Sequence, residues 1–301
     1  MLEGKVVAVT GAGRGIGREI ALLAASKGAR VLVNDLGVEQ DGSGTDVSLA
    51  ENVVAEIRSA GGEAIASGAD ISHPGQAASI VEDCVRAWGR LDGVVNNAGI
   101  LRDRIFYKMS VEDWDQLIRI NLNGYFYVSK AAALQFKEQG GGTFVHFSST
   151  SGLVGSLGQT NYAAAKMGVV GLSTGIALDM SRFGINSNCI APFAWSRMTA
   201  SIPTETEADR ARVERLKTMT ADKIAPLAIA LLSDAAKDIT GQVFCVRKNE
   251  IFLFSAPRPI RSMHRSEGWS AEGVATDLFA AFKPSMQPLQ QNRDVFCWAP
   301  I

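Results

Sequence analysis

Residues Thr10–Ile20 read TGAGRGIGREI, with glycines at 11, 13, 15 and 17 set between the apolar run of Lys5–Val9 and the start of an amphipathic stretch. Glycine loses more backbone entropy on ordering than any other residue, so four in eight positions imply that bare backbone or close approach is needed there. A strand that ends in a glycine-rich turn and opens a helix builds an anion site, because free N–H groups and the helix dipole face the same point. The spacing G-x-x-x-G-x-G differs from the G-x-G-x-x-G of other dinucleotide folds, and a tight strand–helix turn is the competing reading of the loop alone.

Outward from that loop, short β-branched runs alternate with helical periodicity. Strands are expected in KVVAVTG, ARVLVND, AIASGAD, LDGVVNNAG, GGTFVHFSS, INSNCIAP and GQVFCV, and helices over Gly17–Lys27, Leu49–Ser59, Gly75–Trp88, Val111–Gln139 and Tyr162–Arg182. Strand–helix–strand alternation predicts an α/β fold, a doubly wound parallel sheet of Rossmann type covered on both faces. A polar loop, GVEQDGSGTDVS (Gly37–Ser48), is inserted after the second strand. Beyond Arg247 the alternation stops. The chain therefore divides into a single nucleotide-binding domain, 1–246, and a C-terminal extension, 247–301, that packs on the domain or on a partner subunit.

The composition is that of a globular protein, 47% hydrophobic and 20% charged over 301 residues, with a formal net charge of −1. No basic run marks a nucleic-acid or membrane surface. The four cysteines, at 84, 189, 245 and 297, have neither metal-ligand nor disulfide spacing, so no metal site is expected and reduced thiols fit best. No apolar run reaches the ~18 residues of a membrane span. The first strand begins almost at Met1, and the last residues, CWAPI, are not a peroxisomal tripeptide. These features point to a cytoplasmic protein.

Asp35 ends the second expected strand, roughly 20 residues after the loop, where an acid accepts the adenosine ribose hydroxyls and repels a 2′-phosphate. That favours NAD over NADP, although a lone strand-end acid also satisfies turn amides. Tyr162 and Lys166 lie one helical turn apart and share a face. A tyrosine of pKa ~10 is a poor base at neutral pH, and a nearby cation favours its phenolate. With TGAGRGIG, NNAG (Asn96–Gly99) and YAAAK (Tyr162–Lys166) in this order, residues 4–245 resemble the short-chain dehydrogenase/reductases.

The resemblance implies roles. Tyr162 exchanges the proton of the substrate oxygen, Ser149 of FSSTSG orients that oxygen, and Lys166 binds the nicotinamide ribose and tunes Tyr162. Ser148 and Ser151 are neighbouring alternatives to Ser149. Asn121, in RINLNGYF, matches an asparagine that kinks a helix and holds a relay water. Gly11, Arg14, Gly15, Ile16 and Gly17 lie against the dinucleotide, Asp70 and Ile71 at its adenine, and Asn97, Ala98 and Gly99 along it. Tyr162 and Lys166 also touch the cofactor, and Pro192, Ala194 and Ser196 of IAPFAWSRMT approach the carboxamide, although Phe193 departs from the common Pro-Gly.

VLVNDLGVEQDGSG, NNAGILRDRIFYKMS and IAPFAWSRMT further resemble the dehydrogenase region of type 2 multifunctional enzymes. That implies NAD-dependent oxidation of a (3R)-3-hydroxyacyl-CoA, with a free hydroxysteroid or other secondary alcohol as the alternative substrate. A non-catalytic NAD sensor is disfavoured by the full Asn121–Ser149–Tyr162–Lys166 set. Arg258, Arg261, His264 and Arg265 are read either as anchors for CoA phosphates or as a basic turn. Trp195, Met198 and Trp269 are read either as lining an apolar substrate pocket or as core, and resemblance implies a homodimer or homotetramer.

Overall fold

The computed structural model describes residues 1–194 and 206–301. The central sheet has eight strands: β1 (Val6–Thr10), β2 (Arg30–Asn34), β3 (Glu63–Ser67), β4 (Gly93–Asn96), β5 (Gly142–Phe147), β6 (Ile185–Phe193), β7 (Val243–Arg247) and β8 (Glu250–Leu253). Their order is β3-β2-β1-β4-β5-β6-β7-β8, with every pairing parallel except β7–β8. The order reverses between β1 and β4, so the loops leaving those two strands part company at their carboxyl ends. A crevice opens there.

The helices cover both faces. Helix α1 (Gly15–Ser26) buries Gly17, Ile20, Ala21 and Ala24, and α3 (Pro74–Trp88) buries Ala77, Ile80, Val81 and Cys84. Both sets follow the i, i+3, i+4, i+7 stripe of a helix lying on a sheet. Helix α2 (Ser48–Ser59) packs beside α1 in one apolar core, with α9 (Ala225–Leu232). On the other face α3, α5 (Gly124–Gln139) and α7 (Thr160–Met180) enclose a second core. Helix α4 (Val111–Ile118) opens on a Ser110–Asp113 capping box and runs into α5 through a π turn at Arg119–Asn123. A short α6 (Thr150–Leu153) follows β5, and α8 (Glu207–Lys217) precedes α9.

The sheet continues past the expected boundary at residue 246. After β7 the chain turns through Lys248 and Asn249 and returns as β8, with Arg247 opposite Glu250. Lys248 takes the left-handed conformation this two-residue turn demands (φ 59°). The sheet therefore runs on through β8 into the C-terminal segment. The remaining tail folds back onto it. Phe296 packs edge-on against Phe193 and Phe252, with centroids 4.9 and 5.4 Å apart. Arg247, itself buried, lies under Trp298 and pairs with Glu250 at 3.4 Å.

In the sheet centre His146 lies fully buried between Phe144 and Tyr125. Its Nδ1 faces the Asn96 amide at 3.2 Å, and its Nε2 has no partner among the described residues. Burial, with the Lys166 charge adding, pushes its pKa down to about 3. Above an ordinary histidine's pKa of ~6.5 both folded and unfolded chains hold it neutral. Below that value only the unfolded chain takes the proton, so this contribution to stability is lost as the pH falls from about 6.5 toward about 3. Denaturant melts at about pH 4.5 should show a His146-dependent loss of roughly 2–3 kcal/mol relative to pH 7. His146→Phe should flatten that part of the profile.

Candidate active site

The glycine loop divides its four residues between two needs. Gly11 and Gly15 hold φ of 63° and 56°, where a side chain is strained. Gly13 and Gly17 are sites of contact. A Cβ at Gly17 would lie 2.2 Å from the Gly11 carbonyl oxygen and 2.6 Å from Asn97 Nδ2, and one at Gly13 would lie 2.9 Å from Asp35 Oδ2. Helix α1 begins there uncapped: Arg14 makes no side-chain cap, and no acid stands in the first turn. Its first N–H groups thus face the crevice with no side-chain acceptor, and this cradle fits a dinucleotide pyrophosphate.

Around the cradle, several expected cofactor contacts carry structural duties. Asp35, buried, accepts from Gly13 N at 2.8 Å and Gly37 N at 2.7 Å, so the turn-amide reading of this acid holds. Each carboxylate oxygen retains a further lone pair for a ribose hydroxyl. The Arg14 guanidinium donates to the Val38 carbonyl. Asn97 spends its side chain on the Thr10 and Gly11 carbonyls, at 3.0 and 2.9 Å, tying β4 to β1. Ala98 packs against Gly11, and Gly99 is open to solvent beside Asn121. Ile16 is half-buried against the α1-side core.

Asp70 and Ile71, expected at the adenine, have local partners of their own. The Asp70 carboxylate accepts from Ser72 N and meets His73 Nδ1 at 3.0 Å, while its own N–H donates to Gln76. Ile71 is a core residue packed on Gly124 of α5, because the turn before α3 folds it inward. Pro192 lies within β6 opposite Val246, and Ala194 packs on the core beside the strand end. Ser196, Trp195 and Met198 fall outside the described residues.

The chemical groups converge at the carboxyl ends of β4 and β5. Ser149 caps α6, accepting from Ser151 N at 3.1 Å. Ser148 donates to the Lys166 carbonyl, and Ser151 to Gln159 Oε1, both at 2.8 Å. Of the three serines, Ser149 is the one whose hydroxyl faces Tyr162. Tyr162 keeps an exposed edge at the start of α7, while Lys166, one turn on, is only 3% exposed. Asn121 sits in the π turn, and its amide accepts from the Ile100 N–H and donates to the Ile100 carbonyl, at 2.9 and 3.0 Å.

The electrostatics of the ligand-free site are set first by burial. Without a ligand, burial dominates and pushes the Tyr162 pKa up to about 12; the Ser149 hydrogen bond lowers it and the Asp103 charge raises it. Lys166 does not point its ammonium at the Tyr162 hydroxyl. It donates to the Phe147 carbonyl at 2.8 Å and to the Tyr125 phenol at 3.0 Å, and burial pulls its pKa down to about 7. Asp103 and Gln159, joined at 2.8 Å, and Tyr125 are site residues that motif reading did not single out. Tyr125 stands one turn after Asn121, a spacing that could have flagged it.

The C-terminal arginines do not form a shared anion site. Arg265 pairs with Asp277 at 2.5 Å and stacks on Trp269, and Arg261 donates to the Ala281 carbonyl and Ser285. Arg258 donates to the Pro257 carbonyl, and His264 is exposed.

A tyrosinate titration checks the Tyr162 environment directly. In ligand-free protein near pH 10, an ordinary tyrosine is about half ionised and one at about 12 about a hundredth. The ultraviolet tyrosinate signal there should be nearly the same for wild type and Tyr162→Phe. Asp103→Asn, which removes a charge that raises the pKa, should increase the Tyr162 share of that signal.

Comparison with known proteins agrees with this geometry. A family model described as short chain dehydrogenase matches residues 5–207. The chain is 37% identical over 284 residues to a hydroxyacyl-CoA dehydrogenase of Mycobacterium tuberculosis, covering 92% of this chain and 86% of that protein. It is 44% identical over 239 residues to the mouse peroxisomal multifunctional enzyme type 2, covering 79% of this chain and 31% of that longer protein. A crystal structure of a short chain dehydrogenase from Mycobacterium avium superposes with a TM-score of 0.83 at 36% identity, covering 96% of this chain and 98% of that one. The chain belongs to the short-chain dehydrogenase family of oxidoreductases.

Proposed function

We propose that the protein is an NAD-dependent dehydrogenase of (3R)-3-hydroxyacyl-CoA thioesters. The observation that carries the reading is the meeting of Ser149 and Tyr162, with Lys166 behind them, at the mouth of a crevice whose far end is the uncapped N-terminus of α1. A nicotinamide dinucleotide bound along that crevice supplies the hydride acceptor. Ser149 donates to the substrate oxygen and fixes its direction. Tyr162 takes the hydroxyl proton during oxidation and returns it during reduction. Lys166, as ammonium, favours the Tyr162 phenolate. Asp35 supports NAD, since a 2′-phosphate beside its carboxylate would meet like charge.

The acyl-CoA assignment rests on similarity. The relative named a hydroxyacyl-CoA dehydrogenase is matched over 92% of the chain, more than residues 1–247 contain, so the likeness reaches into the C-terminal extension. The exposed apolar residues Phe126 and Leu134 on α5 and Met167 and Leu178 on α7 support a homodimer or homotetramer joined through these helices. Four free cysteines fit a reducing, cytoplasmic setting, and among the described residues no helix is long and apolar enough to cross a membrane.

The first test follows reduced-nicotinamide absorbance with (3R)-hydroxyacyl-CoA thioesters beside free 17β-hydroxysteroids. Thioesters should be turned over preferentially; turnover of free alcohols alone would replace the acyl-CoA reading with a hydroxysteroid one. The kcat/KM with NAD should exceed that with NADP by about 100-fold or more, an effect of ~3 kcal/mol. Tyr162→Phe should retain dinucleotide binding and lose turnover by about 100- to 10,000-fold.

A further inference from the structure

The Lys166 ammonium has three N–H donors, and the structure accounts for two. One ends on the Phe147 carbonyl at 2.8 Å and one on the Tyr125 phenol oxygen at 3.0 Å. The nitrogen lies 4.6 Å from the centroid of the Tyr125 ring and 5.7 Å from that of Tyr162. Tyr125 comes from α5, the helix packed beside α7. Its ring is fully buried and stacked on His146, with centroids 6.3 Å apart, so its oxygen is a rigid acceptor.

We propose that Tyr125 is a positioning residue for the reaction, its phenol oxygen holding the Lys166 ammonium charged and within reach of Tyr162. This rests on the acid–base roles of Tyr162 and Lys166 given above. Burial already disfavours the charge on Lys166. Removing one of its two acceptors leaves an N–H unsatisfied and tips the group toward neutral amine. A neutral amine no longer favours the Tyr162 phenolate, so alcohol oxidation then requires higher pH. The other titratable groups nearby do not replace this contact. His146 faces the site from β5 and stays neutral, and Cys189 faces it from β6 as a thiol whose pKa burial raises to about 12. Asp103 faces Tyr162 from the loop after β4.

The test is the pH dependence of kcat/KM for alcohol oxidation by wild type, Tyr125→Phe, Tyr125→Met and Tyr162→Phe, with melting curves for each. The expected result is a rising limb displaced upward by about one pH unit or more in both Tyr125 variants, with kcat recovering at high pH. A limb that superimposes on wild type, or a uniform drop in kcat at every pH, overturns the proposal. So does loss of the folded state in both Tyr125 variants, which would make Tyr125 a core residue and nothing more. Near-normal turnover by Tyr162→Phe overturns the acid–base reading itself, a failure separate from that of Tyr125.

Discussion

The closeness of α1 to the end of β1 sets the rest of the molecule. At Gly17 the helix passes so near the Gly11 carbonyl that a single methyl group would collide with it. Asn97 reaches across from β4 and bonds the Thr10 and Gly11 carbonyls, so the two strands flanking the switch point share one hydrogen-bonded corner. Because that corner is compact, the first turn of α1 faces open space and its amides stay available. Asp35 completes the frame from β2 by holding the amides of Gly13 and Gly37. Three strands thus place one anion cradle.

The second half of the site depends on a buried charge. Lys166 lies on the sheet-facing side of α7 with Ala165, Val169 and Ser173, a face that is otherwise apolar or internally paired. Burying an ammonium is unfavourable unless its donors are met, and here two of the three are met by a β5 carbonyl and an α5 phenol. The helix carrying Tyr162 and Lys166 is therefore registered against β5 and α5 by the Lys166 ammonium itself. Tyr162, one turn earlier, keeps its exposed edge because α7 begins at the crevice rim.

Much of this was legible in the sequence for local reasons. Positive φ and close approach both demand glycine, so the loop announces itself, and the i, i+4 spacing of Tyr162 and Lys166 is a property of one helix. What stayed hidden is non-local. The amide partners of Asp35 depend on the fold of the Gly37 loop, and the acceptors of Lys166 come from β5 and α5. Ile71, expected at an adenine, turns into the core because Gly124 leaves room for it. Strand β8 was missed because its hairpin is a Lys248–Asn249 turn, lacking the Asn-Gly or Asp-Gly signal that usually marks one. The C-terminal arginines looked like one cluster in sequence, yet Arg261 and Arg265 bond to different parts of the tail.

The tail itself ties the far edge of the sheet to Ser149. Asn292 donates to Ser156 Oγ and to the Gly155 carbonyl, Ser156 meets Ser151, and Ser151 donates its N–H to Ser149. A few residues on, Phe296 and Trp298 are held by the β7–β8 hairpin. The tail therefore spans from sheet edge to active-site loop like a tie rod, anchored at both ends. Force applied at either end is transmitted to the other, so a cut between Asn292 and Phe296 frees this rod and slackens the loop around Ser149.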